Sequence, residues 1–249
     1  MAYPVDVYGT PGQEKETSTT KKRALGTVLR TGNGREYAYS LNGAVALAPG
    51  KIVATPQPTA NHDMDLVTAA NAVGATTFVA TLGATAAVKD LYTDGSVFVN
   101  AVGTAGVGIV YQIDSHEAVD AGGVITLKLA GTEKIITATD TDSESSIRPN
   151  SYANIVVTPT TVLNRTVGVA TVPVAAASYC WVQTKGPAPV LISGTVVVGQ
   201  HIRAAGATTA GAVMALNRDG SAEDEQELGV VMAPISVTTD YGWVWLNIA

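Results

Sequence analysis

The chain contains one cysteine and three histidines, and covalent or metal chemistry would have to start from these side chains. Cys180 stands in "YCWVQTKGP", residues 179–187. A catalytic cysteine needs a base to hold it as thiolate, and His62, His116 and His201 are the only imidazoles. None falls in a cysteine-hydrolase signature, and Cys180 alternates with Tyr179 and Trp181 as strand residues do. It therefore reads as a small buried residue rather than a nucleophile. The histidines show no HxH, HExxH or Cys-His spacing, so no zinc site is assigned.

The carboxylates give no stronger signal. Asp140, Asp142 and Glu144 alternate in "TATDTDSESS", but an EF-hand loop starting at Asp140 would need Gly and Glu where Ser145 and Ser151 stand. A second acidic run, "RDGSAEDEQE", carries Asp219, Glu223, Asp224, Glu225 and Glu227. Both read as solvated loops. "GTAGVGIVY" places Gly103, Gly106 and Gly108 before a strand-like run, with the wrong spacing for a dinucleotide fingerprint and no following Lys-Ser/Thr. No Gly-x-Ser-x-Gly elbow occurs. The expectation is a protein with no catalytic residues, no metal and no cofactor.

The elements that would carry these residues are strands. Charged residues make up 14% of the chain, against about 25% in an average soluble domain, and there are 25 glycines. Val- and Thr-rich runs such as "TTFVATL", "GSVFVNAV" and "GVITLKLAG" recur between Gly, Asn-Gly and Asp-Gly punctuation. That spacing predicts an all-β protein of short antiparallel strands in sandwich or barrel-like modules. "HDMDLVTAANAV" and "DTDSESSI" are the two stretches that could form helical turns. Residues 1–24 show no period and read as an extended or disordered arm, 25–164 as a β domain, and 165–249 as a C-terminal β module linked through "VVTPTTVLNR". A net charge of −6 with a pI near 5.0 leaves no footprint for nucleic acid. No run approaches the length of a membrane span, and the opening residues lack the basic-then-apolar pattern of a secretory leader.

The most distinctive side chains are aromatic. Trp243 and Trp245 share one face of "YGWVWLNIA", while Val244, Leu246 and Ile248 share the other. A strand apolar on both faces must be covered on both, by its own domain or by another subunit. Trp181, Trp243, Trp245, Tyr179 and Tyr241 are thus candidates for core packing or a subunit interface. Gly186-Pro187 reads as the end of the strand that carries Trp181.

Two stretches, "GNGREYAYSLNGAVALAPGKIV" (32–53) and "GVATVPVAAASYCWVQTKGPAPVLISGTVVVGQHIRA" (168–204), resemble virion structural proteins of tailed bacteriophages of the capsid decoration, or cement, type. "YGWVWLNI" and "LYTDGSVFVNAVGTAGVGIVYQIDSHEAV" are similar to the same kind of protein. The resemblance implies a non-enzymatic protein, commonly a homotrimer, assembled in the host cytoplasm and carried on the outside of the virion. There it would bind the major capsid protein and tie adjacent subunits together. Lys15, Lys21, Lys22 and Arg23 would make the arm a candidate capsid contact. Head-fibre, tail-fibre or receptor- and carbohydrate-binding virion modules share the same style and form the alternative. Within this expectation, Trp181→Ala should destabilise the C-terminal module by about 3–5 kcal/mol, the range for a buried large-to-small change, as measured by chemical unfolding.

Overall fold

The computed structural model of the protein describes residues 6–101, 104–161, 164–206, 209–217, 226–235 and 239–248. It is almost entirely β, with no α-helix among these residues. The strands are β1 (Asp6–Tyr8), β2 (Val28–Arg30), β3 (Glu36–Leu41), β4 (Ile52–Ala54), β5 (Leu66–Val67), β6 (Thr77–Thr81), β7 (Ser96–Val99), β8 (Val110–Ser115) and β9 (Val124–Leu129). They continue as β10 (Glu144–Arg148), β11 (Val156–Val157), β12 (Thr166–Ala170), β13 (Tyr179–Ser193), β14 (His201–Ala204), β15 (Val213–Ala215), β16 (Gly229–Val231) and β17 (Thr239–Asn247).

The compact units divide at 57/58 and 150/151, not at 164/165. Residues 58–150, with β5–β10, form one unit inserted into a host formed by the flanking segments. "VVTPTTVLNR" is no linker: β11 within it pairs with β4, and the Asn164 side-chain amide donates to the Thr55 carbonyl at 2.7 Å.

The inserted unit is a six-stranded sheet in the order β5-β10-β7-β8-β9-β6. It curls until Thr68, just past β5, bridges Ala80 of β6. Alternation dictates the burial. In β9, Ile125, Leu127 and Leu129 point into the core, and Val124, Thr126 and Lys128 point out. The two predicted helical stretches belong to this sheet instead. In "HDMDLVTAANAV", the Asn71 side chain imitates a ladder rung, accepting from the Val79 N–H at 2.8 Å and donating to the Val79 carbonyl at 3.2 Å. In "DTDSESSI", Asp140 Oδ1 accepts from the Asp142 N–H at 3.1 Å and the Ser143 hydroxyl at 3.0 Å, a local turn that leads straight into β10. Such side-chain bonds compete with helix formation.

The host unit is organised on β13. Its first half pairs with β3 from Tyr179↔Leu41 to Lys185↔Glu36, with a register shift after Gln183, and with β12 at Val182 and Gln183. Its second half pairs with β17 from Lys185↔Asn247 to Ser193↔Thr239 and meets β15 at Ile192. The pairings β15–β14, β14–β16 and β16–β17 close a five-strand barrel. Ala188, Val190, Ile192, Val244 and Leu246 fill it.

Gly186-Pro187 does not end the strand, which runs on to Ser193. Ile248 N–H donates to the Thr184 carbonyl at 2.9 Å. By the alternation of antiparallel pairs, even-numbered residues of β13 then exchange hydrogen bonds with β17, and the nitrogens of Pro187 and Pro189 point away from it. Between Lys185 and Ile192, that other edge of β13 has no strand partner, so the missing N–H groups cost the ladder nothing. Gly186 is needed there because φ is +86° and a Cβ would sit 2.7 Å from the Gly34 carbonyl.

The described part of the arm lies on this same unit. β1 pairs in parallel with β2. The backbones of Ser18 and Tyr179 exchange hydrogen bonds at 3.0 and 2.7 Å, and the Lys22 N–H donates to the Tyr39 hydroxyl at 3.0 Å.

Two substitutions test the barrel. Leu246→Ala, at a fully buried site, should cost about 2–5 kcal/mol in chemical unfolding. Gly229→Ala should also destabilise, because φ there is +152° and a Cβ would press on the β17 backbone at Trp245 and Leu246. Wild-type unfolding midpoints for both would refute this packing.

Candidate functional site

Cys180 is fully buried, and burial pushes its thiol from 9.0 up to about 12. It packs with Ala38, Val53, Val167 and Val182, an apolar setting in which a thiolate is not formed at neutral pH.

Sequence spacing did not reveal that two of the histidines converge. In the inserted unit, His62 and His116 flank the Tyr92 ring, with ring centroids 5.8 and 5.4 Å from it. Every nitrogen is engaged. His62 Nε2 donates to the Thr85 carbonyl at 2.7 Å, which leaves Nδ1 to accept from the Tyr92 hydroxyl. His116 Nδ1 donates to the Glu117 carbonyl at 2.7 Å, and its Nε2 accepts from the Tyr92 N–H at 3.2 Å. These are structural imidazoles with fixed tautomers. His201 is exposed and bonds Glu227 through Nδ1 at 2.7 Å. No group of three or more His, Cys, Asp or Glu among the described residues could hold a metal ion. Asp219, Glu223, Asp224 and Glu225 lie outside the described residues.

The five aromatic candidates separate into two sites. Trp181 is 3% exposed, set edge-on to Tyr39 with centroids 5.0 Å apart, and Tyr179 stacks on Tyr39 at 5.6 Å. Tyr241, Trp243 and Trp245 are instead 51%, 47% and 44% exposed. The inward face of β17 is covered by its own barrel, and the outward face is not. Register makes this face a continuous apolar surface. Trp245 lies between Pro187 of β13 and Val230 of β16. Trp243 lies beside Pro189 and bonds through its carbonyl to the N–H of Met232, itself 44% exposed. The Tyr241 hydroxyl donates to the Pro49 carbonyl at 3.3 Å, and its ring covers Gly50, where a Cβ would come within 2.5 Å of it. Rigid strands and prolines thus hold this aromatic surface in place. Trp and Tyr supply large, stiff contact area and dominate the energetics of protein interfaces.

Lys15 and Lys22 are exposed, and Lys21 and Arg23 are half-buried. Lys22 and Arg23 line a pocket beside Tyr39, Tyr179 and Trp181.

No protein-family model, curated protein or solved structure matches the chain.

The buried acids set an alkaline limit. Between about 9 and 12 the unfolded Cys180 thiol loses a proton that the native one keeps, so the unfolded state binds fewer protons and stability falls as pH rises. Tyr92, pushed by burial from 10.0 up to about 12, acts in the same direction. Native protein should resist thiol reagents at pH 8. Its stability should decline above pH 9 on titration, with a shallower slope in Cys180→Ala.

Proposed function

We propose that the chain is a non-enzymatic structural protein of a tailed-phage virion that binds the outer surface of the capsid and braces contacts between major capsid subunits. The reading rests on the resemblance of residues 32–53 and 168–204 to decoration proteins. The observation that carries it here is the exposed Tyr241–Trp243–Trp245 surface, framed by Pro187, Pro189, Val230 and Met232. A surface this apolar on a protein with few charges marks a docking site. Large, stiff aromatic side chains on a strand face suit a protein partner. Repeated on every copy of a homotrimer, it would bind a shell multivalently, so each contact need only be modest.

A fibre or receptor-binding module is the second reading. It is favoured by the half-exposed Trp243 and Trp245 and by the His201–Glu227 pair one strand beyond Val230. Aromatic platforms flanked by carboxylates also suit sugar rings.

Co-sedimentation with expanded capsid shells lacking the protein discriminates the two. Wild-type protein should pellet with the shells. The Trp243→Ala/Trp245→Ala variant should lose most of that binding, each truncated anchor being worth about 2 kcal/mol or more, while keeping its unfolding midpoint. Glycan binding without shell binding would replace the decoration reading with the receptor one.

A further inference from the structure

We propose that the pocket between the arm and the start of β13 is a carboxylate-binding site that receives an acidic segment of a partner protein. The pocket is small and open to solvent, with about 50 Å³ that the centre of a water-sized sphere can reach. Its wall is aromatic, formed by Tyr39, Tyr179 and Trp181, and its charged groups are Lys22, Arg23 and Glu16. Neither Lys22 nor Arg23 makes an ion pair among the described residues. This contrasts with Arg30, which pairs with both Asp6 and Glu36, and with Lys185, which pairs with Glu36. Residues 15–23 hold four cations against Glu16 alone, on a chain whose net charge is −6. The patch is therefore a local reversal of sign, and it complements an acidic partner.

Backbone contacts place this segment beside the aromatic wall. The Ser18–Tyr179 bridge and the bond from the Lys22 N–H to the Tyr39 hydroxyl fix the backbone on both sides of the pocket. A carboxylate entering here would lie over buried rings, where water screens its attraction to Lys22 and Arg23 less than on an open surface. Arg23 supplies a planar fork for bidentate contact and Lys22 a mobile point charge. Nucleic acid is the less suited occupant, since the acidic remainder of the chain repels a polyanion longer than the patch. If the chain binds capsids, this pocket is a second contact beside the aromatic surface, and its link to capsids rests on that reading. The carboxylate chemistry stands without it.

The test titrates a short synthetic peptide alternating Glu and Gly into the full chain, with its Gln-for-Glu counterpart and a single-stranded oligonucleotide as controls, followed by amide and indole NMR shifts. The acidic peptide should shift residues 16–23 and the Trp181 indole, and added salt should weaken it. Lys22→Gln/Arg23→Gln should weaken it by about tenfold or more with an unchanged unfolding midpoint. Should that pair disturb the fold, Lys22→Glu alone, at an exposed site, should still abolish the shifts. Absence of shifts, equal binding of the Gln peptide, retention in the variants, or tighter oligonucleotide binding would each overturn the proposal. Shell co-sedimentation run in parallel separates the two readings. Peptide binding without shell binding removes the capsid assignment and leaves the site, whereas shell binding without peptide binding removes the site alone.

Discussion

A strand can hydrogen-bond on two edges only, and the host unit is arranged around how β13 uses both of its own over fifteen residues. Its first half gives one edge to β3 and the other to β12. Its second half gives one edge to β17 and reaches β15 only at Ile192. The change of partners coincides with the register shift after Gln183 and the positive φ of Gly186. A bulge followed by a glycine is how a sheet turns a corner without breaking the chain. With that corner in place, β17 can return along β13 and the small barrel closes. The edge beyond it that lacks a strand partner is where two prolines are tolerated.

The aromatic surface follows from the same constraint. Closing a five-strand barrel leaves room inside for small and medium side chains, and Ala188, Val190, Ile192, Val244 and Leu246 take it. The period of two then forces Tyr241, Trp243 and Trp245 outward. Their exposure has a cost in water that barrel closure does not require, since Thr or Lys would serve outward positions equally well. The prolines beside them add stiffness, which would lower the entropy lost at the proposed docking surface. The chain thus places two of its three tryptophans where they contribute least to its own fold.

Strand content and turn positions were legible in the sequence because alternation and Gly punctuation are local signals. Cys180 as a small buried residue was legible for the same reason. The insertion of 58–150 was not, because Pro and Gly occur throughout the chain and no boundary stands out by composition. Its evidence lies in long-range pairing, as where β11 returns to β4. The helical expectation at 62–73 failed because the Asn71 amide completes a ladder rung, a contact set by tertiary structure. The His62–Tyr92–His116 cluster joins residues far apart in sequence, with no motif to signal it. For β17, alternation showed two apolar faces but could not rank them. The volume inside the barrel decides that the aliphatic face goes in.

The arm shows how burial of one surface prepares another. Residues 6–24 contribute β1, the Ser18–Tyr179 bridge and the cover over Trp181 and Tyr39, so the described segment is part of the host fold rather than a free tether. Val7 packs with the cluster of Leu29, Tyr37, Tyr39 and Trp181, and Lys15 and Lys22 are exposed. Removing the segment would expose those rings as well as remove its charges, and a loss of binding could then come from either cause. A point change at the exposed Lys22 side chain alters charge while leaving the backbone contacts of the segment in place. In this unit the aromatic rings under the arm serve the fold, and those on β17 remain free for a partner, although both sets are joined through β13.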